Sequence, residues 1–379
     1  MRTKGHHRAS RVVHLTTVHR LRDPRIFLKE VGTLRDAGFD VHLVAQHIRT
    51  ERVDGVPVTA LPMGAGRRHR LRLMGPAFRA VRRLRPALVH FHDPELIPVA
   101  YALKRATGAR IVYDMHEDYG GRGGVEGRAL RLLERWCFWW VDHVVLASDS
   151  LLHVVEGAGV AHTVLPNYFR APSEGWTDGP EPSSERLELL YAGVQANDRG
   201  LNVMLDVVAG LRAEGVPVRL TLAGICFRTA DRQAAEMRIE REGLATSVEC
   251  IGWRDYLPWE RMIPLFRRAH VGLALLRPLP NHATTIPTKF YEYLHFGLPI
   301  LATDMPRWRA LVEAHGCGAI VPYGDVAATV AVLRRWWAEP ATLRAYAVAA
   351  RRAAPRYAWE QVVPRLLALY KDLLGRTSR

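Results

Sequence analysis

At 379 residues the chain exceeds one ordinary core, and its 48% hydrophobic content is enough to fill two. Its formal charge of +15 and pI near 10.1 point to an anionic partner: nucleic acid, lipid or a phosphorylated substrate. Only five of its 53 basic residues are Lys, an Arg bias that genome composition alone can produce, and no zinc-finger spacing or RNA-recognition signature supports a nucleic-acid module.

The cysteines Cys137, Cys226, Cys250 and Cys317 stand singly, which argues against a zinc site and a disulfide framework. No apolar run reaches the roughly 18 residues of a membrane span, and "MRTKGHHRAS" has no signal-peptide core. We expect a cytoplasmic protein, soluble or peripheral at the inner face of the plasma membrane.

In chain order, "RVVHLTT", "DVHLVAQ", "VPVTALP", "ALVHFH", "ARIVYDMH" and "HVVLAS" predict strands, most of them separated by helix-length segments. Such alternation indicates a parallel sheet covered by helices. Within it, "RRHRLRLMGPAFRAVRRLR" sets Leu71, Met74, Phe78 and Val81 at helical spacing among eight arginines, interrupted by Gly75-Pro76. Residues 68–85 therefore suit either an anionic membrane surface or the core face of a domain helix.

A Pro-, Gly-, Ser- and acid-rich break follows at "FRAPSEGWTDGPEPSSER", the best linker in the chain. The rhythm then restarts with "RLELLYAGV", "VRLTLAGI", "VECIG", "VGLALL", "PILATD" and "AIVP". The predicted fold class is α/β, with two Rossmann-like doubly wound domains facing across a cleft. The last helix, "WEQVVPRLLALYKDLLG", carries Val362, Val363, Leu366, Leu367, Leu369, Tyr370, Leu373 and Leu374, too apolar a set for a free tail.

In open parallel sheets ligands sit beyond the carboxyl ends of strands. His19, His92 with Asp93, and His116 with Glu117 fall at such ends in the first half. Gly193 to Arg199, Gly224 and Trp253 do so in the second. Lys289 and Glu292 lie three residues apart at the start of a helical pattern, where an ordinary surface pair is worth only about 0.2–0.5 kcal/mol.

Four segments, "HRLRDPRIFLKEVGTLRDAGFDVHLVA", "LVHFHDPELIP", "IVYDMHEDY" and "IPTKFYEYLHFGLPILATDMP", occur in an order that resembles the retaining glycosyltransferases of the GT-B architecture, family 4. The resemblance implies domains at 1–178 (acceptor-binding) and 179–356 (nucleotide-sugar-binding), with 357–379 returning to the first. It implies that Glu292 accepts hydrogen bonds from the nucleotide ribose, and that Lys289 meets the diphosphate as the sugar leaves. Gly193 lets backbone approach the pyrophosphate. The usual family Arg is replaced by Val194, so Arg199, before Gly200, carries the phosphate charge.

The family's first glutamate is Thr284 here, which leaves Ala283, Thr284 and Thr285 to hold the hexose. His92 is implied to touch the transferred sugar, and His116 and Glu117 to lie nearer the acceptor. Asp23 and Arg25 lie in a loop without glycine. We expect their side chains to contact donor or acceptor, against a helix-capping role for Asp23. Trp253 and Tyr256 either border the base or fill the core.

No D-x-D element appears, so metal independence is expected, with no cofactor beyond the nucleotide diphosphate sugar itself. The implied activity is hexose transfer to a hydroxyl of a glycan, lipid-linked sugar or natural product, as in polysaccharide biosynthesis. A nucleotide-sugar epimerase or hydrolase, or an inactive sugar- or polyanion-binding subunit, remains the alternative.

Overall fold

The computed structural model describes residues 11–120, 124–171 and 185–375. The chain divides into two compact units, Met1–Asn167 with Trp359–Arg379, and Tyr168–Ala358. The division falls at 167/168 rather than 178/179, and the return at 358/359 rather than 356/357.

The first unit is built on β1 (Val12–Arg20), β2 (Val41–Gln46), β3 (Glu51–Val53), β4 (Val56–Leu61), β5 (Leu88–Phe91), β6 (Arg110–Met115), β7 (His143–Leu146) and β8 (His162–Val164). Their order is β3-β4-β2-β1-β5-β6-β7-β8, and only the β3–β4 pair is antiparallel. The central strands bury both faces, which is why they read as short β-branched runs rather than alternating ones. The edge strands β3 and β8 have three residues each and no apolar run, so the sequence pattern does not announce them. Chain order reverses between β1 and β5, which opens the crevice where ligands bind in such sheets.

The Arg67–Leu84 helix uses its apolar stripe on this sheet. Leu73, Ala77 and Val81 are buried, and Met74 and Phe78 pack on the same core. Of the predicted stripe only Leu71 faces outward, 52% exposed. Of the two readings of residues 68–85, the apolar stripe takes the core face, and the exposed side of the helix is rich in arginine.

The Val363–Gly375 helix belongs to the first unit and buries Leu366, Leu369, Tyr370 and Leu373. Just before it, the Trp359 indole N–H donates to Thr33 Oγ1 at 2.8 Å, and Lys29 Nζ lies 5.9 Å from the Trp359 ring centroid. Val362 is also buried.

The second unit is built on β9 (Leu187–Ala192), β10 (Val218–Ala223), β11 (Val248–Ile251), β12 (Val271–Ala274), β13 (Ile300–Thr303) and β14 (Gly318–Val321), in the order β11-β10-β9-β12-β13-β14, all parallel. Most of the predicted linker lies outside the described residues. Its first residue, Phe169, does not behave as linker: it is buried in the second core, and its N–H donates to the Tyr357 carbonyl at 3.1 Å.

The reversal here is between β9 and β12, which pair only at Val271–Leu189 and Gly272–Leu190 before parting. Tyr293, on the Thr288–His295 helix, fills the gap. Its hydroxyl accepts from the Ala192 N–H at 3.2 Å and lies 2.9 Å from the Leu273 carbonyl, so it satisfies backbone groups that the diverging ladder leaves open. A Cβ on Gly272 would stand 2.5 Å from the Tyr293 ring, which makes glycine necessary there. This anchor fixes the helix one turn beyond Lys289.

Candidate functional site

At the carboxyl edge of the first sheet, Asp93 is 1% exposed and its Oδ2 accepts from the Thr17 N–H at 2.6 Å and from the Thr16 hydroxyl at 3.0 Å. It therefore shapes the end of β1. Asp93 Oδ1 also lies 3.6 Å from His19 Nε2, while His19 Nδ1 bonds Asp23 Oδ2 at 2.9 Å. Burial lowers the His19 pKa, but the two carboxylates outweigh it and the net shift is upward. Burial likewise raises Asp23, yet His19 and the Ile26 N–H hold its carboxyl well below the usual range.

Two expectations are corrected at this edge. Asp23 Oδ1 accepts from the N–H groups of Arg25 and Ile26, both at 2.9 Å, so Asp23 caps the helical turn Pro24–Val31. Arg25 turns inward: Nε and Nη2 grip Asp114 at 3.0 and 2.7 Å, and Nη1 donates to the Leu165 carbonyl at 2.9 Å. Its guanidinium is engaged inside the fold and the residue is 3% exposed, so it does not face a substrate.

His92 is corrected too. It has no exposed surface, and both ring nitrogens are engaged, Nδ1 with Asp114 Oδ2 and Nε2 with His14 Nδ1, each at 3.0 Å. It stands behind the surface and cannot touch a sugar as placed. His116 is the partner that reaches outward: Nε2 bonds Asp114 Oδ2 at 2.8 Å, its side chain is 13% exposed, and its ring centroid is 4.9 Å from that of His19. Glu117, next along, is exposed.

Behind His92 runs a buried network that strand-end reasoning missed. Arg25 and His116 overcome the burial penalty on Asp114 and keep it ionised. Burial and the Asp114 charge raise Glu30 well above the carboxylate range, so it holds a proton. Burial also pushes His14, His90 and His92 downward, leaving them neutral.

Charge on Asp114 assigns the tautomers. His92 donates from Nδ1 to Asp114 and accepts at Nε2 from His14 Nδ1–H. His14 Nε2 then accepts from the Tyr370 hydroxyl, 3.0 Å away. His90 donates from Nδ1 to the same phenol oxygen, which leaves its Nε2 bare and without a hydrogen-bond partner. The available signal was polar residues alternating inside buried strands: His90 and His92 around Phe91, His14 in β1, and Asp114 in β6.

Among the described residues, Glu30, His90, His92 and Asp114 bring one donor atom each within 4.8 Å of one another, a composition that suits a divalent ion. Arg25 competes with that use. Its guanidinium is 2.7 Å from Asp114 and 3.2 Å from Glu30, so a fixed positive charge already serves both carboxylates.

At the carboxyl edge of the second sheet, Gly193 has φ +125° directly after β9, and a Cβ there would lie 3.6 Å from Lys289 Nζ. Gly224, at φ +129° after β10, would carry its Cβ 2.2 Å from the Gly193 carbonyl oxygen, so two glycines line this edge closely. Lys289 is 5% exposed, its ammonium lies 3.5 Å from the Tyr191 ring centroid, and Nζ has no hydrogen-bond partner. Burial, with the Arg199 charge adding to it, pushes Lys289 well below the ordinary lysine range, against the pull of Glu292. Lys289 thus stands buried beside the Arg199 charge with no hydrogen-bonded anion in the fold.

Arg199 and Glu292 are half-buried, and Arg199 closes the turn Asn197–Arg199 before the Leu201–Ala213 helix. Thr284 and Thr285 spend their hydroxyl protons on the carbonyls of Pro280 and Asn281, at 3.0 and 2.7 Å, so only their oxygen lone pairs remain for a sugar. Trp253 is 5% exposed within the second core, which decides for packing, although its indole N–H has no partner. Tyr256 is 46% exposed.

Family models for "Glycosyl transferase 4-like domain" and "Glycosyl transferases group 1" match residues 25–167 and 186–339. The chain belongs to these glycosyl transferases. No curated protein matches it.

Solved structures of the GT-B architecture share the fold of this glycosyl transferase. Sucrose-phosphate synthase from Thermosynechococcus elongatus is 16% identical with a TM-score of 0.73, over 97% of this chain and 100% of that one. Anabaena Alr3699/HepE in complex with UDP-glucose is 13% identical with a TM-score of 0.71, over 96% and 99%. The catalytic domain of starch synthase IV from Arabidopsis thaliana, bound to ADP and acarbose, is 12% identical with a TM-score of 0.68, over 97% and 100%.

Proposed function

We propose that this glycosyl transferase moves a hexose from a nucleoside diphosphate sugar to a hydroxyl of a glycan, lipid-linked sugar or natural product in the cytoplasm, with retention and without a metal. The observation that carries the donor assignment is Lys289: a buried amine with no bonded partner, beside Arg199 at the edge lined by Gly193. A diphosphate supplies the anion this arrangement lacks, and its charge opposes the downward shift that burial imposes on Lys289.

In the transfer, the bond from C1 to the diphosphate oxygen breaks and its electron pair leaves with the diphosphate. The acceptor oxygen bonds C1 on the same face and passes its proton to the leaving oxygen. Lys289 and Arg199 stabilise the charge that grows there. Glu292 takes the ribose hydroxyls. His116, held through Nε2 by Asp114, offers Nδ1 to orient an acceptor hydroxyl.

A thermal-shift panel of nucleoside diphosphate sugars tests this reading, since a cognate donor at 100 times its Kd adds about 2.7 kcal/mol. Products analysed with and without acceptor then separate transfer from epimerisation or hydrolysis. If no donor stabilises the protein, the reading fails. Transfer is expected to survive chelator; loss restored by Mg²⁺ or Mn²⁺ would instead assign a metal to the carboxylates around Asp114.

A further inference from the structure

The arginines of the Arg67–Leu84 helix divide into two groups. Near its start, Arg67 and Arg70 pair with Glu126 and Glu95. Near its end, Arg79, Arg82, Arg83 and Arg85 are all exposed, and none has an ion pair or side-chain hydrogen bond among the described residues. These four line one hollow of about 680 Å³, closed on its other side by Thr107 at the end of the Ile97–Thr107 helix.

The bland explanation is that cations offset the helix dipole. One or two in the last turn suffice for that, and Arg82 and Arg83 already occupy it. Arg79 lies a turn earlier and Arg85 beyond the end. Arg85 also holds φ +48°, the left-handed region where glycine is the unstrained choice after a helix. An arginine kept there adds a fourth positive charge to a hollow that has no acid on its walls.

Both helices end where β5 and β6 begin. The hollow therefore lies at the amino edge of the first sheet, opposite the edge of His19 and His116. It is not part of the site described above.

We propose that this hollow is a binding site for a ligand carrying two or more clustered phosphate groups. Four guanidiniums around one space match such a charge, and each can donate to phosphate through two parallel N–H groups. Outside the sugar-transfer edge, such a site holds the protein to a phosphorylated partner or senses one. A soluble polyphosphate and a phosphate-bearing lipid headgroup present the same chemistry.

The test is calorimetric titration of the full chain with inorganic tripolyphosphate near physiological ionic strength, where diffuse surface attraction is screened beyond about 8 Å. The variants are Arg82→Gln/Arg83→Gln and a charge-matched control, Arg241→Gln/Arg334→Gln, whose arginines pair with Glu242 and Glu214. We expect the first to bind about a hundredfold more weakly and the control to bind like wild type, with melting temperatures unchanged. Phosphate binding at Lys289 is removed by Lys289→Ala and kept by Arg82→Gln/Arg83→Gln, so failure of the donor reading is told apart from failure of this one.

Cosedimentation with vesicles containing cardiolipin, whose headgroup carries two phosphates, against phosphatidylcholine alone, identifies the source. Sedimentation lost in the Arg82/Arg83 variant and competed by tripolyphosphate assigns a lipid headgroup; tripolyphosphate binding without sedimentation assigns a soluble ligand. No saturable binding, or equal binding by both double variants, overturns the proposal.

Discussion

Lys289 shows what a single buried amine without a bonded partner implies. If, as proposed, it meets charge on a leaving diphosphate, Lys289→Ala is expected to lower kcat/KM by about a hundredfold, or roughly 3 kcal/mol, while free nucleoside binds nearly as before. Arg199→Ala should behave alike. Steady-state kinetics beside nucleoside titration checks both, and wild-type rates in the pair would remove the diphosphate from this edge. The sequence singled out Lys289 because "PTKFYEY" surrounds it, and the structure places its amine buried and without a hydrogen-bond partner. The bonding of Arg25, Asp23 and His92 was not legible there, because a strand-end position does not tell which way a side chain is bonded. Arg25 and His92 both turn back to Asp114, a residue hidden inside a strand that otherwise reads as plain core.

At the scale of elements, Tyr370 ties the terminal helix to β1 and β5 through His14 and His90. Tyr370→Phe removes a donor and an acceptor from a buried network and is expected to cost about 2 kcal/mol in denaturant unfolding. An unchanged midpoint would show that the two histidines find other partners. The same network makes stability depend on pH. His14, His90 and His92 have folded pKa values below 6.5, so their contribution is full above that pH and falls as pH drops. Glu30, raised, works the other way above its unfolded value of 4.5. Three histidines oppose one carboxyl, so the network's contribution to stability should fall as pH drops below about 6.5. Denaturant curves at pH 7, 6 and 5 measure this; a flat profile would mean that the histidines are charged in the fold. The twelve strands with β-branched runs were legible, and the two three-residue edge strands were not, since pairing at an edge needs backbone geometry and no apolar signal. The Arg67–Leu84 stripe was readable as a stripe, but only packing shows that the sheet takes it.

For the whole molecule, surplus apolar residues argued against a free tail and the family resemblance implied a return to the first unit; Trp359, Val362, Leu366 and Tyr370 are buried in that unit's part of the chain. Removing residues from Trp359 onward is expected to make the protein aggregate and to lower transfer sharply, as sedimentation and activity assays would record. A soluble, fully active truncation would contradict the packing of that segment.

That return also sets an order of events at the ribosome. The second unit is one continuous stretch and can finish folding as soon as it emerges, whereas the first was begun earlier and cannot be completed until Tyr370 arrives, roughly two hundred residues after Asn167. At about 5–20 residues per second, the growing chain carries the open seat of its last helix, with His14 and His90 still lacking their phenol, for on the order of 10–40 seconds. Within this chain, the part made first is thus the part finished last.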